Sequence, residues 1–222
     1  MTARAPLLLL AIAAAGGCRA ADRDASTDSA RLGSVGVGSS AELERLVETR
    51  KSGVVAEVLP PLEAGRPDRV VLAMQTTAPP YSARRALVEV ERYPETVEQV
   101  SGIEIRERTA EQLVFEVELE LPFQNLFYTL EYDLREPARV DVRGVGGALA
   151  GGRWCWEFVE LDSGCLVIYT SESDLDESAG FVLQRLMAMH PDLQEGMAFA
   201  QGLRFLRAVC RQAEVLAGAS SR

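Results

Sequence analysis

The chain is short of the residues from which most catalytic chemistry starts. Its 222 residues include one histidine, His190, and four cysteines, none of them in a C-x-x-C pair. Tetrahedral zinc sites draw on closely spaced Cys and His ligands, so a zinc centre has little to build on. No G-x-S-x-G segment is present, which removes the nucleophile elbow of the α/β-hydrolases. His190 stands between Met189 and Pro191 with no partner at a known catalytic spacing, and is expected to cap a helix or face solvent. Gly33, Gly36 and Gly38 lack the dinucleotide spacing, and no strand precedes them. Positive charge is scarce, with 23 basic residues against 33 acidic ones and a net charge of −10. Nucleic acid and anionic headgroups are therefore not attracted, and no nucleic-acid partner is expected. The acidic runs Glu116, Glu118, Glu120 and Asp174, Asp176, Glu177 lack the spacing of a calcium loop and read as a solvated face and a loop. Neither a metal nor a cofactor is expected.

Long hydrophobic runs are also missing. The apolar stretch 7–15 is too short to cross a bilayer, which takes roughly 20 residues. Arg4 precedes it and small residues follow, the layout of a secretory signal. The segment Ala15-Gly16-Gly17-Cys18 resembles the bacterial lipobox, with Ala15 where that family usually has Leu. The resemblance implies removal of residues 1–17 and acylation of Cys18; an ordinary signal cut nearby is the alternative. Two or more acyl chains would hold the chain at a membrane, each buried methylene adding about 0.8 kcal/mol. Arg19 is not the Asp associated with inner-membrane retention, which points to the outer membrane, with the domain in the periplasm or at the surface. Residues 18–45 are expected to form a flexible tether and the start of a short helix, and 46–222 the folded domain. An oxidising compartment would permit a disulfide among Cys155, Cys165 and Cys210, and the odd count leaves at least one thiol free.

Within the domain the hydrophobic period changes several times. A short helix is expected at 41–51, then strands at 54–59 and 70–76 joined by a Pro- and Gly-containing loop. Pro79 and Pro80 open a helix to about 93, with Ala83, Leu87, Val90 and Tyr93 at helical spacing, and Pro94 starts a second one to about 100. The period then becomes two. Leu113, Phe115, Val117, Leu119 and Leu121 share one face against Glu116, Glu118 and Glu120, and Leu126, Tyr128, Leu130, Tyr132 and Leu134 repeat the pattern. Further strands are expected at 103–108, 139–144, 153–161 and 165–171, the last two joined by a turn at Asp162-Ser163-Gly164. Helical spacing returns with Phe181, Leu183, Leu186 and Met187. A long helix from Pro191 to about 217 then carries the stripe Leu193, Met197, Ala200, Leu203, Leu206, Val209, Ala213 and Leu216. This is an α+β architecture, a curved antiparallel β-sheet wrapped around a long C-terminal helix.

The order of elements resembles the START-like (SRPBCC, helix-grip) superfamily, which includes coenzyme Q-binding proteins and polyketide cyclases. The stretch Ala78-Pro79-Pro80 with Glu91-Arg92-Tyr93-Pro94-Glu95 is similar to the family's "APxxV" and "DYERYPE" signature, and Gly152-Arg153-Trp154 to its "GxW". Glu89-Val90 replaces the family's Asp-Tyr, so an aromatic near that helix is lost. The resemblance implies an apolar cavity for a lipid or quinone-like molecule. The sheet and helix residues expected to line it are Phe115, Val117, Leu119, Tyr128, Leu130, Tyr132, Trp154, Trp156, Ile168, Met197, Leu203 and Leu206. With Tyr128 and Tyr132 as the polar groups among them, the domain is expected to bind and not to catalyse. A cyclase-like enzyme on this fold and a protein-interaction module of the cell envelope are the alternatives.

Overall fold

Strand 112–119 shows how this sequence makes its sheet: burial alternates residue by residue, with Leu113, Phe115, Val117 and Leu119 buried and their neighbours half-exposed. In the computed structural model, residues 53–60, 68–120, 125–172, 185, 189 and 192–220 are described, with side chains of the last stretch from 196 to 219. Eight strands are present among them: β1 (Val54–Leu59), β2 (Arg69–Thr76), β3 (Val100–Arg108), β4 (Gln112–Leu119), β5 (Leu126–Asp133), β6 (Arg139–Gly147), β7 (Arg153–Leu161) and β8 (Gly164–Glu172). They form one sheet in the order β1-β2-β8-β7-β6-β5-β4-β3, every described pair antiparallel. The first hairpin thus joins the six-strand meander through its last strand, with Val70 opposite Ser171 and Thr76 opposite Cys165. Register shifts in the β3–β4 and β5–β6 pairs mark bulges, which bend a sheet and increase its twist.

Between β2 and β3 lie α1 (Pro80–Val88), a single 3₁₀ turn (Val90–Arg92) and α2 (Tyr93–Thr96). The helix expected to run on to 93 is therefore broken. Pro94 lacks the N–H that a continuous helix would need there, and its ring would meet the carbonyl four residues back. The chain leaves the helix at Glu89, whose N–H still reaches the Arg85 carbonyl. The second helix expected at 95–100 is one turn, because Val97 is already extended and Val100 begins β3.

The long helix, α3 (Asp192–Ser220), packs on β2, β8 and α1. It docks closely. A Cβ built on Gly202 would lie 2.5 Å from Tyr169 Cε1 and 3.0 Å from Leu72 Cδ1. Near its C-terminal end, Glu214 Oε1 accepts hydrogen bonds from the Thr76 hydroxyl at 3.0 Å and from the Thr77 hydroxyl at 3.3 Å. No helix among the described residues is long and apolar enough to cross a membrane. Cys18, the tether, the helix expected at 41–51, Phe181, Leu183, Leu186, Met187 and His190 lie outside the described residues.

Candidate ligand-binding site

Apolar side chains from the inner face of the sheet, from α1 and α2, and from α3 form one continuous core. Strand alternation supplies Leu113, Phe115, Val117 and Leu119 from β4, then Leu126, Tyr128, Leu130 and Tyr132 from β5. Trp154, Trp156 and Phe158 come from β7, and Cys165, Val167 and Tyr169 from β8. The expected lining residues Phe115, Val117, Leu119, Tyr128, Leu130, Tyr132, Trp154, Trp156, Met197 and Leu206 all enter this core, and Leu203 packs against it half-buried. Ile168 does not. It belongs with Val55, Val71, Ala73 and Leu166 to a separate cluster on the outer face of β1, β2 and β8. Its neighbour Tyr169 takes the inner position that the sequence reading assigned to Ile168, since successive strand residues point to opposite faces.

The interior is apolar but not free of polar groups. The Tyr93 hydroxyl donates to the Leu87 carbonyl at 2.5 Å, and the Tyr132 hydroxyl lies 3.3 Å from it. Because Tyr93 has one proton and commits it to Leu87, Tyr132 is the donor in the second bond. The two rings enclose Phe115 edge-on, at centroid distances of 6.4 Å from Tyr93 and 4.9 Å from Tyr132. Tyr169 packs against Trp156 at 4.7 Å, with Ser171 and Trp154 within hydrogen-bonding reach of its hydroxyl. Burial pushes the Tyr93, Tyr128, Tyr132 and Tyr169 hydroxyls well above their ordinary titration range, so all four stay neutral hydrogen-bonding groups. Burial likewise pushes the Cys165 thiol up to about 12, with Glu160 adding to it, and raises Cys210 beside it. Cys155, Cys165 and Cys210 are all free and buried. No three metal-ligating side chains lie together among the described residues.

The residues behind the sequence resemblance have structural work. Glu89 pairs with Arg85 at 2.6 Å, Glu91 with Arg108 of β3 at 2.7 Å, and Tyr93 ties the helices to β5 through Tyr132. Gly152 is followed two residues later by a tryptophan whose ring folds over it. A Cβ there would lie 2.7 Å from Trp154 Cη2, so the Gly-x-Trp spacing reflects a close packing contact. The loop from Gly144 to Gly152 is tied across its base. Gly144 N–H donates to the Gly152 carbonyl and Gly151 N–H to the Gly144 carbonyl, both at 2.8 Å, while Leu149 is buried in the main core.

Among solved structures, an aromatase/cyclase from Streptomyces sp. R1128 superposes with a TM-score of 0.56 at 17% identity, over 66% of this chain and 93% of that one. A STAR-related lipid transfer protein from Xanthomonas axonopodis superposes at 0.51 and 13% identity, over 75% of this chain and 96% of that one. This chain has the START-like helix-grip fold. The di-domain aromatase/cyclase StfQ of the steffimycin biosynthetic pathway matches the helix-grip architecture too, with a TM-score of 0.55 and 16% identity, over 87% of this chain and 63% of that one. No family model and no curated protein matches the sequence. The helix-grip likeness corrects one expectation. A domain that binds without catalysing does not follow from a fold that aromatase/cyclases share, and the interior holds more hydroxyls than the two read from β5.

Two polar features were missed in the sequence. Tyr93 reads as one more apolar position of a helix, and nothing local shows its hydroxyl turning back to Leu87. Gln201 of α3 is buried within the helix, with both amide atoms unpartnered. A glutamine between apolar stripe positions carries no signal of burial.

Proposed function

We propose that this domain encloses a hydrophobic small molecule of the lipid or quinone class between the inner face of its sheet and α3. The observation that carries the reading is the geometry of the core. The eight described strands turn one apolar face, set with neutral tyrosine hydroxyls, around the long helix α3. Sites for apolar ligands combine such linings with a few fixed polar groups. The likeness to a lipid transfer protein supports the reading. The inner-face residues exclude solvent, so entry requires α3 or the Gly144–Gly152 loop to move. Native mass spectrometry of protein purified without added lipid tests it: a co-purified apolar mass is expected. A bare mass that stays bare after incubation with quinones and phospholipids sinks the reading and favours an envelope interaction module.

In the same reading Cys18 is acylated and holds the domain at the bacterial envelope, within reach of lipid. Growth with labelled palmitate should mark the wild-type chain and leave Cys18→Ala unmarked; label on both would discard the anchor.

A second reading takes the same interior as a reaction chamber, which the likeness to two aromatase/cyclases supports. Neutral hydroxyls at fixed positions can hold the oxygens of a folded polyketone while its own carbons join. Incubation with a reactive poly-β-ketone, compared with Tyr132→Phe, tests it. A product distribution identical to the uncatalysed one discards it.

A further inference from the structure

The structure assigns to Gln201 the role of polar anchor for the bound molecule, an inference that rests on the enclosed-ligand reading above. Gln201 is 1% exposed, and neither its Nε2 nor its Oε1 has a hydrogen-bond partner. Buried polar atoms are almost always paired, so an amide with both ends open in an apolar interior calls for a specific explanation. Gln212, the other buried glutamine of α3, shows the ordinary outcome: turned with its oxygen towards Arg92, it accepts from that guanidinium.

Helical spacing places the amide. At 3.6 residues per turn, Met197, Gln201, Phe205 and Ala208 form one strip of α3. Met197 and Ala208 belong to the main core, and the Phe205 ring stands edge-on to Tyr93 at 5.5 Å. One position before Phe205, Arg204 donates to the Gln99 side chain at 2.8 Å, so this flank faces the turn between α2 and β3. The neighbouring Gly202 lies on the other flank, closed against Tyr169 and Leu72. Gln201 therefore lies on the flank of α3 turned towards Tyr93 and the turn between α2 and β3, not on the flank closed against Tyr169 and Leu72.

The chemistry of the complement follows. A primary amide offers a donor and an acceptor side by side. The buried charged residues Arg69 and Glu172 alternate onto the outer face, away from the inner positions of β2 and β8. The interior thus selects a neutral ligand. Its polar end presents a donor beside an acceptor, as a carboxamide, a protonated carboxyl or a hydroxyketone does, and a phosphate headgroup does not fit.

Equilibrium dialysis of the purified full-length chain against oleamide, methyl oleate and 1-octadecene tests this, with Gln201→Leu as the variant. Wild type should hold oleamide about tenfold tighter than methyl oleate, the worth of one well-placed hydrogen bond. Gln201→Leu should lose that preference, keep its octadecene affinity, and melt roughly 2–6 °C higher without ligand because an open amide has been removed. A preference that survives the substitution, or a lower melting temperature, overturns the assignment. Equal uptake of all three by wild type overturns it while the cavity stands. Uptake of none removes the cavity reading and this inference with it.

Discussion

Tyr93 does three things at one position, and each has a separate cause. Its ring packs edge-on to Phe115 and Phe205, its hydroxyl proton caps the Leu87 carbonyl where α1 is about to end, and its oxygen receives the Tyr132 proton. The last carbonyls of a helix lack intrahelical partners, so the Tyr93 hydroxyl replaces water that burial excludes. Tyr93→Phe should therefore cost about 1–3 kcal/mol, because two buried groups lose a partner at once. Tyr132→Phe removes only a terminal donor and should cost about 0.5–1.5 kcal/mol. Urea unfolding of the two variants and the double variant checks this, and the double should fall short of the sum since both act on one chain of bonds. A larger loss for Tyr132→Phe would refute the proposed direction of the relay. At this scale the sequence shows Tyr128 and Tyr132 clearly, because acidic neighbours mark the outer face of their strand. It does not show the phase of β8. From Cys165 to Tyr169 every residue is apolar, so no polar partner says which set points inward, and Ile168 is chosen where Tyr169 belongs.

Between elements, α3 approaches the sheet closely at Gly202. In an exposed helix, Gly→Ala gains about 1 kcal/mol of propensity. Here the new methyl would meet the Tyr169 ring at 2.5 Å, and that ring is itself held against Trp156 at 4.7 Å. Overpacking typically costs about 1–3 kcal/mol, which exceeds the gain. Gly202→Ala should lower stability by about 1–2 kcal/mol and Gly202→Val by more, as read by thermal melts. A more stable Gly202→Ala protein would mean that helix and sheet can separate freely at this point. The period-two segments β4, β5 and β6 and the long helix were legible because each has one wet and one dry face. The break in the helix before Tyr93 was not. Apolar spacing runs unbroken through Val90 to Tyr93, and only Pro94 hints at an end, six residues after Val88, the last of the helix. The order of strands was also out of reach of local pattern. The pairing of β2 with β8 joins segments on either side of the meander, a contact that depends on closure of the whole sheet.

For the molecule as a whole, the burial of so many neutral acids makes alkaline stability the property most sensitive to the fold. Cys165 is raised to about 12 and Cys210 is raised as well, while Tyr93, Tyr128, Tyr132 and Tyr169 are all held protonated by burial. In the unfolded chain thiols ionise near 8.5 and tyrosines near 10. Below about pH 8.5 both states keep these protons, and the contribution is constant. Above it the unfolded chain loses protons that the folded one retains. Stability must then fall as pH rises towards 12, each group adding a slope of up to about 1.4 kcal/mol per pH unit. The melting temperature should thus be flat from pH 7 to 8.5 and drop steeply between 9.5 and 11. The chain has five tyrosines, of which Tyr81 is exposed, so a Tyr81→Phe variant isolates the buried four. In that variant tyrosinate absorbance at 295 nm should appear in one step, coincident with loss of the far-ultraviolet circular dichroism of the sheet. A gradual rise of absorbance while the sheet remains intact would mean that water reaches these hydroxyls in the folded protein. The interior would then be a hydrated chamber, and the apolar-ligand reading would lose its physical basis.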